Sequence, residues 1–114
     1  MNSVITLDFG KLKLEAELFD SVIANKFVEH LPYSIDLTQW GQELYGSIGI
    51  DIGEENPIPD IPPGGLAYTS QGNYFCIFYG QAPAWPVEYI GQIQGDTWKQ
   101  LLQASKLTKV SVID

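Results

Sequence analysis

Residues 74–79 read Tyr74-Phe75-Cys76-Ile77-Phe78-Tyr79, a run without a single charge. A strand with one wet face alternates polar and apolar side chains. A continuous apolar run of this length therefore predicts a strand buried on both faces, covered on one side by a helix. Outward from it, Gln71-Gly72-Asn73 forms a turn back to a strand at Leu66–Thr69. The whole unit from Pro62 to Pro86 is bounded by glycines and prolines and also carries Tyr68 and Trp85. Upstream, Trp40-Gly41-Gln42-Glu43-Leu44-Tyr45 adds two aromatics beside a carboxylate. This clustering of aromatics around tight turns predicts a β-rich domain with a concave, aromatic-lined surface.

The rest of the chain agrees with a β-rich reading. Ile5, Leu7 and Phe9 alternate with Thr6 and Asp8, and Leu12, Leu14, Ala16 and Leu18 alternate with Lys13, Glu15 and Glu17. Two such runs across Gly10-Lys11 predict a β-hairpin. Asp20 or Ser21 caps a helix to about His30, with Ile23, Phe27 and Leu31 on one stripe and Pro32 as its stop. Strands are expected at Tyr33–Thr38, Leu44–Ile52, Val87–Gln94 and Val110–Ile113. A second short helix is expected at Thr97–Gln103, capped by Asp96, with Trp98, Leu101 and Leu102 facing inward. Gly53 to Gly65 holds Pro57, Pro59, Pro62 and Pro63, which excludes a central strand and leaves a stiff loop or an extended edge. Eight short strands and two short helices on one core predict a mainly β, closed or nearly closed antiparallel β-barrel, with a β-sandwich as the alternative.

At 114 residues the chain is one domain, with 45% hydrophobic and 18% charged residues. Its formal charge is −8, all six basic residues are lysines, and none lies between Phe27 and Trp98. Nucleic-acid affinity comes largely from Lys and Arg neutralising phosphates, so this balance argues against a nucleic-acid partner and against an anionic membrane surface. No apolar run approaches the roughly 20 residues that span a bilayer. Met1 to Gly10 lacks the basic start of a signal peptide, and the single Cys76 suits a reducing cytoplasm.

Several segments together resemble a known group. Phe19-Asp20-Ser21-Val22-Ile23-Ala24, Leu31-Pro32, Trp40 to Tyr45, Gly64 to Tyr68, Cys76-Ile77-Phe78-Tyr79-Gly80-Gln81-Ala82-Pro83, Tyr89-Ile90-Gly91-Gln92-Ile93 and Gly95-Asp96 come in the order found in a family of small microbial cyclophilin-like domains of unassigned function. The resemblance covers nearly the whole chain and implies a cyclophilin-like β-barrel, with no activity attached. Gly65-Leu66-Ala67-Tyr68 departs from the family's tendency to Gly-Asp before Ala-Tyr, and the loop after Pro83 is short.

Prolyl isomerases of this fold polarise the amide with an arginine. This chain has no arginine, and a lysine lacks the fixed guanidinium fork, so isomerase activity by that route is not expected. His30, the only histidine, falls at a helix C-terminus instead of beside a nucleophile, and Cys76 reads as a buried core thiol. Asp51, Glu54, Glu55 and Asp60 lack the spacing of a calcium loop, and no His/Cys cluster suits zinc, so neither a metal nor another cofactor is expected.

The aromatic set Trp40, Tyr45, Tyr68, Phe78, Tyr79 and Trp85 is divided between core and pocket. The candidate ligand-binding residues are Trp40, Glu43, Tyr45, Tyr68, Phe78 and Tyr79. Strand alternation puts Tyr45 on the face of Glu43 and turns Tyr79 away from Phe78, so only part of the set can share one pocket. The expected function is non-enzymatic binding of a small molecule or short peptide. The alternatives are a weak enzyme or an oligomerisation module without ligand.

Overall fold

The β-hairpin that opens the chain shows how local sequence sets the register. In the computed structural model, which describes residues 2–104 and 106–114, strands β1 (Ser3–Asp8) and β2 (Lys13–Leu18) pair antiparallel with Ile5 opposite Ala16 and Leu7 opposite Leu14. Between them, Gly10 adopts a φ of 91° and donates its N–H to Asp8 Oδ1 at 2.8 Å. The alternation of β2 is read out directly, with Leu14, Ala16 and Leu18 buried and Lys13, Glu15 and Glu17 exposed. Helix α1 (Val22–Glu29) follows, and Ser21 caps it by accepting from the Ala24 N–H at 3.3 Å.

The remaining strands are β3 (Tyr33–Asp36), β4 (Thr38–Gln39), β5 (Glu43–Ser47), β6 (Gly65–Thr69), β7 (Tyr74–Phe78), β8 (Glu88–Ile93) and β9 (Lys109–Ile113). A 3₁₀ turn at Thr97–Lys99 leads into α2 (Gln100–Gln103). All pairings are antiparallel and join into one nine-stranded sheet in the order β3-β9-β1-β2-β8-β6-β7-β5-β4. The edge strands β3 and β4 are consecutive in the chain, so residues 33–39 bring the two ends of the sheet together. At that seam a Cβ on Gly46 would overlap the Asp36 carbonyl and the Ile35 side chain, so only glycine lets β5 approach β3. The result is a nearly closed antiparallel barrel, and the sandwich is excluded by the single continuous sheet.

Its main core gathers Ile5, Leu7, Leu14, Leu18, Phe27, Ile35, Leu66, Tyr68, Phe75, Ile77 and Val112, among others. Helix α1 contributes Ile23, Ala24 and Phe27, the last stacked on Phe75 at 5.1 Å between ring centroids. A second, smaller cluster of Ile61, Ala67, Cys76, Phe78 and Val87 lies on the opposite face of β6 and β7.

Some expectations are corrected. The strand expected at Tyr33–Thr38 breaks at Leu37, because its first part pairs with β9 and the next residues pair with β5; this makes nine strands instead of eight. The strand expected to reach Ile52 ends at Ser47, where the Ser47 hydroxyl accepts from Gly49 N–H at 3.0 Å and turns the chain. Residues 75–79 are buried, with α1 covering the core face through Phe27 on Phe75 and the irregular 53–65 segment covering the other face, where Ile58 bridges Val87 just before β8. Leu102 is exposed instead of inward, and the Asp96 side chain makes no capping hydrogen bond.

Candidate functional site

Strand parity decides which aromatics meet. On β5, Glu43 and Tyr45 point to the outer face while Leu44 enters the main core. On β7, Tyr74, Cys76 and Phe78 share that outer face, while Phe75 and Ile77 face the core. Register aligns them, with Glu43 opposite Phe78 and Tyr45 opposite Cys76. Thr69 of β6 joins them, and Val87, Pro83, Ala84 and Trp85 approach from the segment before β8. Together with Trp40 these residues line a cavity of about 400 Å³.

Each wall is held by identifiable contacts. Trp85 is 38% exposed, and its Nε1–H donates to Thr69 Oγ1 at 2.9 Å, which fixes the indole over the cavity. The Tyr45 and Tyr74 rings meet edge to face at 5.1 Å. Trp40, 52% exposed, stands at the rim on the tight turn before β5, where its N–H donates to the Glu43 carbonyl at 2.9 Å. That turn interlocks with the segment after β7. Gln81 Oε1 accepts from the Gln42 N–H at 2.8 Å, in space that a Cβ on Gly41 would occupy.

Glu43 is the one charged group on the lining, and the residue is 7% exposed. Burial raises its carboxyl above the usual carboxylate range, and side-chain hydrogen bonds with Cys76 and Gln81 partly offset that rise. The Cys76 thiol is driven well above its ordinary value by burial and by the neighbouring Glu43 charge, so it stays protonated and is a poor nucleophile.

Of the six residues expected at a site, Trp40, Glu43, Tyr45 and Phe78 come together on this cavity. Tyr68 and Tyr79 lie across the sheet in the main core. The Tyr68 hydroxyl accepts from the Ile52 N–H at 3.1 Å and donates to Asn73 Oδ1 at 2.9 Å, so it ties a loop and a turn to the barrel. The Tyr79 hydroxyl accepts from Gln39 Nε2 at 3.2 Å. Tyr74 and Trp85 complete the cavity without having been among the six. Parity alone identifies Tyr74, two residues from Cys76 and four from Phe78. Trp85 sits in a proline-flanked segment with no periodicity to place it.

His30 is exposed at the end of α1, its Nδ1 2.9 Å from the Lys26 carbonyl oxygen. Two of the acids in the 51–60 segment are engaged locally: Asp51 Oδ1 accepts from the Gly53 N–H at 2.9 Å, and Glu54 Oε1 accepts from the Ser70 hydroxyl at 3.4 Å. Among the described residues no group of three or more His, Cys, Asp or Glu side chains is arranged to hold a metal. No helix among them is long and apolar enough to cross a membrane.

Against this geometry, the sequence matches the Cyclophilin-like family over residues 3–113. The chain belongs to the cyclophilin-like family. No curated protein matches it. Two solved structures share the cyclophilin-like barrel. One is the solution structure of the hypothetical protein AF2241 from Archaeoglobus fulgidus, at 24% identity and a TM-score of 0.70, covering 96% of this chain and 91% of that one. The other is McbB in complex with tryptophan, at 17% identity and a TM-score of 0.72, covering 96% of this chain and 44% of McbB. Both similarities establish the fold of this cyclophilin-like domain.

Proposed function

We propose that this cyclophilin-like domain binds a small molecule or the side chain of a short peptide in the cavity on the outer face of β5, β6 and β7. The observation that carries this reading is a cavity of about 400 Å³ walled by Trp40, Tyr45, Tyr74, Phe78 and Trp85 around a single buried carboxylate. Apolar walls with few polar groups are the usual build of a small-molecule site, and this volume is at the small end of its range. Tyrosine and tryptophan offer large rigid faces with a polar tip, which suits them to binding surfaces. McbB, which shares this fold over 44% of its length, is seen in complex with tryptophan, a small aromatic molecule. The Cys76 thiol on the lining is held protonated, which argues against nucleophilic catalysis there and for a binding role.

The test uses the protein's own fluorescence. Two of its three tryptophans, Trp40 and Trp85, line the cavity, and Trp98 does not. In a Trp98→Phe background, titration with small aromatics, amines and proline peptides is expected to shift the emission saturably with at least one of them. The expected effect of Trp85→Leu is to remove that response. Unchanged emission and unchanged indole NMR resonances across the whole panel would overturn the proposal.

A further inference from the structure

Resting on that reading, we infer that the cavity selects an organic cation, with an ammonium group against the Glu43 carboxylate and its carbon substituents on the faces of Trp40, Tyr45, Tyr74 and Trp85. Three observations carry this. First, the lining contains one charged side chain, an acid, and no lysine. The chain has no arginine at all, and no lysine between Phe27 and Trp98, so every segment that builds the cavity is free of cations. Among the described residues, the ion pairs Lys13–Asp8 and Lys99–Asp96 lie elsewhere.

Second, Glu43 is nearly buried, and its side-chain partners, Cys76 and Gln81, bring hydrogen bonds but no positive charge. A buried carboxylate without a countercharge is costly, and a cationic ligand supplies that charge where a neutral one leaves it missing. Third, four of the five aromatic walls are Trp or Tyr, the side chains whose ring faces attract cations most strongly. An anion meets the Glu43 charge and those ring faces together, so it is repelled on both counts.

The other titratable groups on the lining are Tyr45, two residues along β5 from Glu43, and Cys76 and Tyr74 on β7, while Phe78 stands opposite Glu43; β6 and the segment before β8 contribute the uncharged Thr69, Val87, Pro83, Ala84 and Trp85. Because burial raises the Glu43 carboxyl, a bound cation stabilises its ionised form and expels its proton. Affinity for the cation therefore rises with pH through the carboxyl range and then levels off, whereas affinity for a neutral ligand does not follow that profile.

The experiment compares matched pairs on the full chain by calorimetry: choline against 3,3-dimethyl-1-butanol, and phenethylamine against 2-phenylethanol, with phenylacetate as the anion. The expected result is cation binding about tenfold or more tighter than the neutral isostere. Phenylacetate should bind more weakly than either. Glu43→Gln, with its fold checked by circular dichroism, should erase the preference while retaining the neutral isostere. Tyr45→Leu should weaken both members of a pair. Equal affinity for cation and isostere, or a preference that survives Glu43→Gln, overturns the cation inference and leaves the binding reading standing. No binding by any member overturns the cation inference, and the binding reading falls with it only if the wider fluorescence panel is also silent.

Discussion

The two faces of β6 and β7 are built from neighbouring residues and reach different ends. On the inner face, Leu66, Tyr68, Phe75 and Ile77 are sealed by helix α1 and the far wall of the barrel. On the outer face, Cys76, Phe78 and Ala67 are covered only by the 53–65 loop and the segment before β8, and that partial cover leaves the cavity. The contrast lies in the cover more than in the residue types, since both faces carry aromatics. A ring sealed by secondary structure becomes core, and a ring roofed by a loop stays available to a ligand.

That comparison is broken most forcefully by paired truncations. Phe75→Ala removes a fully buried ring stacked on Phe27 and is expected to cost about 3–5 kcal/mol in urea denaturation. Tyr45→Ala, half-buried on the outer face, is expected to cost about 1 kcal/mol while abolishing the ligand response. Equal stability losses would mean that both faces are core.

A smaller effect is expected at Tyr68. Removing its hydroxyl in Tyr68→Phe leaves the Ile52 N–H and Asn73 Oδ1 without that partner, at about 1–3 kcal/mol by thermal or chemical denaturation. Ligand affinity should be unchanged, which separates this tyrosine from the cavity. A lost ligand response in a folded Tyr68→Phe variant would join the two faces functionally.

The smallest effect concerns pH. Burial raises the Glu43 carboxyl above its ordinary value of 4.5, so the folded chain holds that proton more tightly than the unfolded chain. The Glu43 contribution to stability is then fully present below the unfolded carboxyl range and declines as pH rises through the raised folded value. Glu43→Gln should flatten this part of the profile and make the fold more resistant to urea at neutral pH, even as cation binding is lost. A variant less stable than the parent at pH 7 would show that Glu43 serves the fold.

Much of this was legible from residues alone. The alternation in Leu12–Leu18 fixed the hairpin, and the parity of Glu43 with Tyr45 and of Phe78 against Tyr79 already divided the aromatics. What the sequence withheld was which side of β7 faces inward, because every residue from 75 to 79 is buried and no polar partner marks the outside. The bulge between Leu66 and Ala67 hides more, since it shifts the pairing so that Leu66 meets Gly91 but Ala67 meets Tyr89. Placing Tyr68 needed its tertiary partners at Ile52 and Asn73, and placing Trp85 needed its bond to Thr69, 16 residues away.

The fastenings of the loop over the outer face are few. Glu88 accepts from the Glu55 and Asn56 N–H groups at 3.1 and 2.7 Å, Ile58 bridges Val87, and Ile61 enters the small cluster. From Asn56 to Ile61, none of these draws on the helix-filled core. Residues 82–86 are the freer cover, held chiefly by the Trp85 bond to Thr69, whereas 57–63 is tied down by the Ile58 bridge, buried Ile61 and the Pro63 carbonyl that accepts from Gln92. Pro83, Ala84 and Trp85 can thus reshape one wall of the cavity from outside the strands, whereas Glu43, Tyr45, Tyr74 and Phe78 belong to the barrel itself and tie ligand preference to foldability.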